Sequence, residues 1–251
     1  DRILRDSCHI SYLISDGNFM PGKESYVKYV KRFDDWLILR SKYGLDSLAI
    51  RQLDPIYSLD DLEESLTTAF EKEIKNGMVA VKIFASYYRS LNFEKADKES
   101  ARKVFRNLVN GDIDHRISMN DAKPLQDYLF HHLMGLSRKY GMPVAIHTGL
   151  QAGKGKLIDN SNPEHLTGII AQYPDINFVL YHGSFPYGGE LSAIAKNYRN
   201  VYIDMNWAWA VSPTYIRHHL NEWLEMIPVN RLIAFGGDAM AVENVYSELV
   251  L

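Results

Sequence analysis

The sequence lacks several features that mark large classes of protein. One cysteine, Cys8, stands in 251 residues, which excludes an intramolecular disulfide framework and a thiolate metal cluster. The 28 lysines and arginines are outnumbered by 31 acidic residues, so there is no basic surplus for binding nucleic acid. No run of about 18 apolar residues is present, as a membrane-spanning helix would require. We therefore expect a cytoplasmic protein with no nucleic-acid partner and no membrane partner.

Common catalytic and nucleotide-binding motifs are also missing. The sequence contains no G-x-S-x-G nucleophile elbow, no G-x-G-x-x-G fingerprint and no P-loop. The run "GLQAGKGK" at 149–156 is rich in glycine and lysine but has the spacing of neither phosphate-binding motif. Its composition favours a mobile loop.

What is present is an alternation of short apolar runs and amphipathic helical patterns from about residue 45 onward. This alternation is typical of a parallel α/β fold. The predicted strands are 48–53, 78–84, 143–148, 177–182, 200–205 and 231–238. The predicted helices are 60–75, 124–140, 163–173, 189–198 and 213–226.

Residues 1–44 do not follow the alternation. Their pattern predicts a helical segment with two helices, roughly 1–15 and 23–43. We expect this segment and the barrel portion at 45–251 to form a single domain.

Polar residues recur near the ends of the predicted strands. Side chains alternate between the two faces of a strand, so His147, for example, shares a face with the small residue Ala145, opposite Val144 and Ile146. In parallel sheets, ligands bind at the carboxyl ends of the strands. The counting predicts a polar ring there, formed by Arg51, Lys82, His147, His182, Asp204 and Asp238.

Three members of this ring suit a metal ion. His147, His182 and Asp238 offer the nitrogen and oxygen ligands that hold zinc or a similar divalent ion. A bound metal lowers the pKa of a coordinated water and so supplies a nucleophile near neutral pH. One histidine near a strand end would more often be structural, but residues recurring at six strand ends favour a site.

The quoted runs also resemble a known family. "PVAIHTGLQAG" (143–153), the run from "NPEHLTG" to "YIDMNWA" (162–208) and "VNRLIAFGGDA" (229–239) resemble the last four strands of the amidohydrolase superfamily. The nearest branch contains metal-dependent TIM-barrel hydrolases and decarboxylases. The resemblance covers about residues 45–250. It implies a (β/α)8-type barrel in which this chain supplies strands three to eight.

The resemblance implies roles for four residues. His147 would be a metal ligand, and Asp238 a carboxylate that binds metal or serves as base. His182 would be a second ligand or an acid/base that orients water. Lys82 would be a carbamylated lysine bridging two metals, or an interior lysine that binds a substrate carboxylate or pairs with an acid. The metal would be zinc, with manganese or nickel as alternatives.

The sequence departs from the superfamily at one point. The first strand of the superfamily ends in a His-x-His pair that supplies two ligands, and no His-x-His occurs here. The adjacent pairs His131–His132 and His218–His219 lie on predicted helices, where neighbours point about 100° apart. The chain begins at Asp1, and we expect strands one and two to lie outside it. The predicted result is an open, six-stranded sheet with an incomplete metal site.

Five further residues are candidates for binding substrate. Arg51 and Arg89 offer bidentate guanidinium forks, although an ordinary surface role is favoured for Arg89. Gln151 and Tyr187 follow the two histidine strands, where they would line the mouth or pack within loops. The fifth candidate is Asp204, from the polar ring.

Together these features predict a metal-dependent hydrolase acting on a small, polar, carboxylate-bearing substrate through metal-activated water. A decarboxylase or lyase on the same scaffold is an alternative, as is a non-catalytic barrel that binds a ligand or partner protein. Barrels often pair through their helices, so a homo-oligomer is a further expectation.

Overall fold

The structure is a computed structural model that describes residues 3–17, 22, 25–238 and 242–249. Seven strands form one parallel sheet in which each strand pairs with the next one along the chain. The strands are β1 (Leu13–Asp16), β2 (Val27–Arg32), β3 (Met78–Ile83), β4 (Val144–Ile146), β5 (Phe178–Leu180), β6 (Val201–Asp204) and β7 (Leu232–Ile233).

Ten α-helices occur in the described residues, most of them in the connections between strands. They are α1 (Asp34–Leu37), α2 (Lys42–Gln52), α3 (Leu59–Lys75), α4 (Lys98–Val109), α5 (Met119–Tyr140), α6 (Thr167–Gln172), α7 (Gly188–Asn197), α8 (Ala208–Val211), α9 (Pro213–Met226) and α10 (Val242–Leu249). Among the described residues, no helix has both the length and the apolar character needed to cross a bilayer.

Local sequence signals set several helix boundaries. Ser58 and Asp61 form a capping box at the start of α3, and Ser212 caps α9, in which Pro213 is the first residue. Helix α5 begins at Met119, after the cap Ser118, so Pro124 lies inside the helix rather than at its first turn. The capping serine outweighs the proline as the start signal.

The sheet has one apolar face and one polar end. The buried side chains Val81, Val144, Ile146, Phe178 and Leu180 belong to the main hydrophobic core. In the described residues β7 does not pair with β1, so the sheet is open. The fold is thus a curled, TIM-barrel-like α/β sheet with one strand fewer than a complete eight-stranded barrel.

The prediction of six strands is wrong for one strand, and it misses two strands nearer the N-terminus. The run "LAIRQL" at 48–53 is mostly in α2, which is capped by Ser41 and turns Leu45 and Leu48 into the core. A spacing of three residues between buried leucines fits a helix, whereas a short apolar run of this length also fits the predicted strand.

The two predicted helices in residues 1–44 are also wrong. The chain there forms β1 and β2, which continue the sheet beyond β3. Residues 1–2 and 23–24 of the predicted helices lie outside the described part of the chain. Both strands are short, and half-exposed or charged residues interrupt their apolar pattern, so pairing with the sheet decides their structure.

Candidate active site

Seven polar residues lie at or just after the carboxyl ends of the seven strands. We call them the mouth ring. They are Asp16, Arg32, Lys82, His147, His182, Asp204 and Asp238. The charges of five of them act on one another, since Asp16, Asp204, Asp238 and Arg32 all affect the pKa of Lys82. Because all strands are parallel, their ends meet at one edge of the sheet, where ligands bind in folds of this kind.

The two histidines contact each other directly. His147 follows β4 and His182 follows β5, and His147 Nδ1 lies 3.0 Å from His182 Nε2. The opposite ring nitrogens face backbone carbonyls: His147 Nε2 lies 2.9 Å from the oxygen of Leu150, and His182 Nδ1 lies 3.0 Å from that of Asn206.

These carbonyls determine the tautomers. A carbonyl oxygen only accepts, so His147 must carry its proton on Nε2 and His182 must carry its proton on Nδ1. If both rings are neutral, the two remaining nitrogens point unprotonated lone pairs at each other. That contact is repulsive unless a proton or a cation lies between the two nitrogens.

A divalent metal ion fits this arrangement better than a shared proton. Burial lowers the pKa of His147 to about 2 and that of His182 to about 3, so an extra proton is strongly disfavoured. Two nitrogens bound to one tetrahedral zinc ion at about 2.0–2.1 Å lie about 3.3–3.4 Å apart, so a small movement of the two rings would admit the ion. Carbonyls that fix the far nitrogens are also the usual partners of metal-binding imidazoles.

Lys82 projects from β3 into the centre of the ring. Burial lowers the pKa of Lys82 to about 8, and the carboxylates of Asp16, Asp238 and Asp204 act in the opposite direction. Its Nζ lies 3.3 Å from the ring centroid of Tyr181. No carboxylate of the described residues comes within 4.0 Å of this nitrogen.

Burial raises the pKa of two ring carboxyl groups, Asp204 and Asp238. Burial raises the pKa of Asp204 to about 6, although its Oδ1 accepts the N–H of Asn206 at 2.7 Å. A carboxyl group with a pKa near 6, such as that of Asp204, can accept or donate a proton near neutral pH.

Two members of the ring, Asp16 and Arg32, were missed from the sequence. They end β1 and β2, and the Arg32 guanidinium donates to both carboxylate oxygens of Asp16, at 2.8 and 2.6 Å. This guanidinium also lies 4.5 Å from the ring centroid of Phe84. The available signal was a charged residue at the end of each short apolar run, but the sequence pattern predicts helices at 1–15 and 23–43, which leaves Asp16 in the break between them and Arg32 inside a helix.

Aromatic rings line one side of the histidines. Tyr87 stacks on Phe84 with centroids 4.2 Å apart and meets His147 edge-on at 4.8 Å. Trp207 meets His182 edge-on at 5.1 Å. These rings provide an apolar wall beside the polar ring.

The turn after His147 depends on Gly149. This glycine has a φ of +76°, and a Cβ built on it would lie 2.4 Å from the carbonyl oxygen of Phe185. Leu150 N donates to the same carbonyl at 2.7 Å. The loops after β4 and β5 therefore touch through their backbones, which keeps the two histidines together.

The predicted arginine clamps are not in the ring. Arg51 is an exposed residue of α2 paired with Asp35 at 3.1 Å, and it lines a groove of about 290 Å³ with Arg40 and Arg116. The expected strand position of Arg51 is therefore wrong, because the residue is helical.

Arg89 is buried rather than at the surface, so the expected surface alternative is wrong. It is held by Asp127 at 2.6 Å and by Gln126 at 2.9 Å. These side chains fix the guanidinium inside the protein, beneath α5.

The two loop candidates differ from each other. Gln151 is buried and donates its amide to the carbonyls of Ser86 and Leu157, which ties two loops of the mouth together. Tyr187 is half-buried just before α7, and burial raises the pKa of its hydroxyl.

The third expected ligand, Asp238, does not converge on the two histidines as closely as they converge on each other. Within the described ranges, one set of three His, Cys or carboxylate side chains has all its ligand atoms within 4.8 Å of one another, and that set is on α9. The converging part of the ring is thus the pair of imidazoles.

A family model described as amidohydrolase matches residues 85–244, which is more than half of the chain. The chain belongs to the amidohydrolase family. This amidohydrolase chain is also 32% identical over 164 residues to the protein fluG of Emericella nidulans, a match that covers 62% of the chain and 19% of fluG. The chain spans about a fifth of the length of that relative.

Solved structures similar to this amidohydrolase chain share its fold. A protein assigned as a metal-dependent hydrolase from Lactobacillus casei matches with a TM-score of 0.72 and 19% identity, over 99% of this chain and 67% of that one. A uronate isomerase from Thermotoga maritima matches with a TM-score of 0.77 and 15% identity, over 94% of this chain and 58% of that one. These likenesses confirm the predicted TIM-barrel-type fold.

Proposed function

We propose that this amidohydrolase chain carries the active site of a metal-dependent hydrolase for small, polar, carboxylate-bearing molecules. The observation that carries the proposal is the pair of imidazole nitrogens, 3.0 Å apart, whose opposite nitrogens face backbone carbonyls. Such a pair is arranged to bind a cation through two lone pairs.

His147 and His182 would hold the ion, and Asp238 would complete its ligands or act as base. A bound divalent ion, zinc in the first place and manganese or nickel otherwise, polarises a carbonyl and lowers the pKa of water. Both imidazoles are neutral at pH 7 because burial depresses their pKa values. We therefore assign proton transfer to the carboxyl groups Asp238 and Asp204, whose pKa values are raised.

The charge around the mouth favours an acidic substrate. Lys82 has no ion-pairing carboxylate within 4.0 Å in the described chain, and Arg32 keeps one guanidinium nitrogen outside its pair with Asp16. Either cation can bind a substrate carboxylate. The groove with Arg40, Arg51 and Arg116 adds positive charge nearby, since Tyr88 of its lining contacts Phe84.

The experiment is metal analysis of the purified protein, followed by a screen of lactones and amides of small carboxylic acids. We expect His147→Ala to lose hydrolysis together with about one equivalent of zinc, manganese or nickel relative to the wild type. The matched control is His115→Ala, which replaces an exposed histidine outside the mouth ring. This variant should keep both the metal and the hydrolysis. A native protein that holds no metal and hydrolyses none of these esters and amides would overturn the proposal.

Isomerisation of a sugar acid is the second candidate. Two solved structures with this fold, from Thermotoga maritima and Caulobacter crescentus, are described as uronate or glucuronate isomerases. Their substrates carry a carboxylate, and the cations Lys82 and Arg32 in the mouth ring of this chain favour such a substrate. Conversion of a uronic acid from its aldehyde to its ketone form, without hydrolysis of lactones or amides, would support this candidate.

A further inference from the structure

A second group of metal-binding side chains lies outside the mouth ring, on α9. It consists of His218, His219 and Glu222, whose ligand atoms all lie within 4.8 Å of one another. His219 Nδ1 is 3.1 Å from Glu222 Oε2. We call these three residues the α9 cluster.

Helix geometry explains why the cluster converges. His218 and Glu222 are four residues apart and His219 and Glu222 are three apart, and both spacings place side chains on one face of a helix. Adjacent histidines point about 100° apart, so the pair alone makes a poor chelate. Glu222 lies between the two directions and brings the three groups together.

The ring of His219 is held in place before any ion binds. It packs between Tyr215, with centroids 4.3 Å apart, and Trp223, with centroids 5.7 Å apart. On a third side it lies against Gly188, where a Cβ would come within 2.6 Å of three ring atoms. A ligand whose orientation is fixed in this way loses little entropy on binding a metal.

We propose that the α9 cluster binds one divalent transition-metal ion, such as zinc, nickel or copper, from solution. Two imidazoles and one carboxylate are the ligands that these ions prefer, whereas calcium and magnesium require oxygen ligands. His218 is exposed and Glu222 is half-buried, so an ion reaches them from solvent. Three protein ligands leave a position for water.

The proposed ion would act on the loop that carries His182. The Tyr215 hydroxyl, one turn before His219 on α9, donates to the carbonyl of Gly183 at 2.9 Å. An ion bound to His219 therefore stiffens the contact between α9 and the loop at 183–188. It also adds an equivalent of metal to the protein that has no part in the chemistry at the mouth ring.

The test is isothermal titration of the metal-stripped protein with zinc chloride. We expect the wild type to bind one equivalent more than Glu222→Gln or His218→Ala, or to bind that equivalent at least about tenfold more tightly. The matched control is Glu225→Gln, which removes the same charge from an exposed position three residues further along α9 and leaves the titration unchanged.

The same titration in a His147→Ala background separates this proposal from the function of the mouth ring. The α9 equivalent persists there if the two sites are independent, whether or not the mouth ring binds metal. Melting temperatures in chelator verify that the variants fold. Identical stoichiometry and affinity for wild type, His218→Ala and Glu222→Gln would overturn the proposal.

Discussion

Two groups of polar side chains in this molecule are built in opposite ways. The first, which we call the Arg89 network, consists of Arg89, Gln126 and Asp127 with Lys123. Arg89 donates to both neighbours and to the carbonyls of Ser90 and Asn92, and Asp127 also accepts from the backbone of Glu94. In this network each charge has a partner.

In the mouth ring, by contrast, Arg32 and Asp16 form an ion pair, but Lys82 and the two histidines have no ionic partner among the described residues. Lys82 has no ion pair within 4.0 Å in the described chain, and the two histidines direct lone pairs at each other. Burial disfavours the charged forms of Lys82 and Asp204. A buried network whose hydrogen-bonding groups all have partners stabilises the fold. Buried groups that have perturbed pKa values and lack such partners are typical of a ligand-binding site.

The largest expected effect on stability lies in the Arg89 network. Asp127→Ala leaves the Arg89 guanidinium buried without its counter-ion, which should lower the free energy of unfolding by about 3–5 kcal/mol. Urea denaturation measures the change. Arg102→Ala is the control, because it breaks a largely exposed pair with Glu99 and should cost less than about 1 kcal/mol. If Asp127→Ala lowers the free energy of unfolding by no more than the control does, the Arg89 network does not stabilise the fold as described.

The mouth ring depends on backbone contacts, and Gly149→Ala should break them. The new Cβ meets Phe185 at a positive φ, so we expect a loss of about 2–4 kcal/mol in the free energy of unfolding. Gly155→Ala is the matched control, since Gly155 has a φ of +73° but no atom within 4 Å of the new Cβ. If both variants lose equal stability, strain rather than the Phe185 contact explains the effect.

Lys82→Met should stabilise the protein, whereas Asp127→Ala and Gly149→Ala should destabilise it. Removing a buried charge without an ion-pairing partner should raise the free energy of unfolding at pH 7 by about 1–3 kcal/mol. It should also abolish turnover if Lys82 binds substrate or metal.

The pH dependence of this gain has a defined direction. Between pH 8 and about 10.5 the folded protein has released the Lys82 proton while the unfolded chain still holds it. Raising the pH therefore stabilises the folded wild type, and the advantage of Lys82→Met should shrink over this range. Urea denaturation of both proteins at pH 7 and pH 9.5 measures this, and an advantage that grows with pH would refute it.

The smallest effect is expected at Arg51. Its pair with Asp35 is half exposed on both sides, so Arg51→Ala should change the free energy of unfolding by less than about 1 kcal/mol. If the groove residues only add general positive charge, the KM for an acidic substrate should rise less than in Arg32→Ala. A larger rise of KM in Arg51→Ala than in Arg32→Ala would indicate that Arg51 binds the substrate.

The sequence was informative where strands are fully buried. Lys82, His147, His182 and Asp204 lie at or just after the ends of β3 to β6 because those apolar runs do form strands, although β4 and β5 are shorter than the predicted 143–148 and 177–182. Arg51 was misplaced because "LAIRQL" is short enough to fit either a strand or a helix. Asp16 and Arg32 were missed because their strands are short and carry exposed charges.

The sequence by itself determined the order of the five strands from residue 78 onward, the longer helices that follow β4 to β6, and the presence of polar residues at the strand ends. Those features follow from local preferences that each segment carries with it. Only the tertiary structure decided that residues 13–16 and 27–32 pair with β3, that Arg89 is buried beside Asp127, and that the two imidazoles meet at 3.0 Å. These contacts join residues distant in sequence, so they depend on how the segments pack rather than on any one of them.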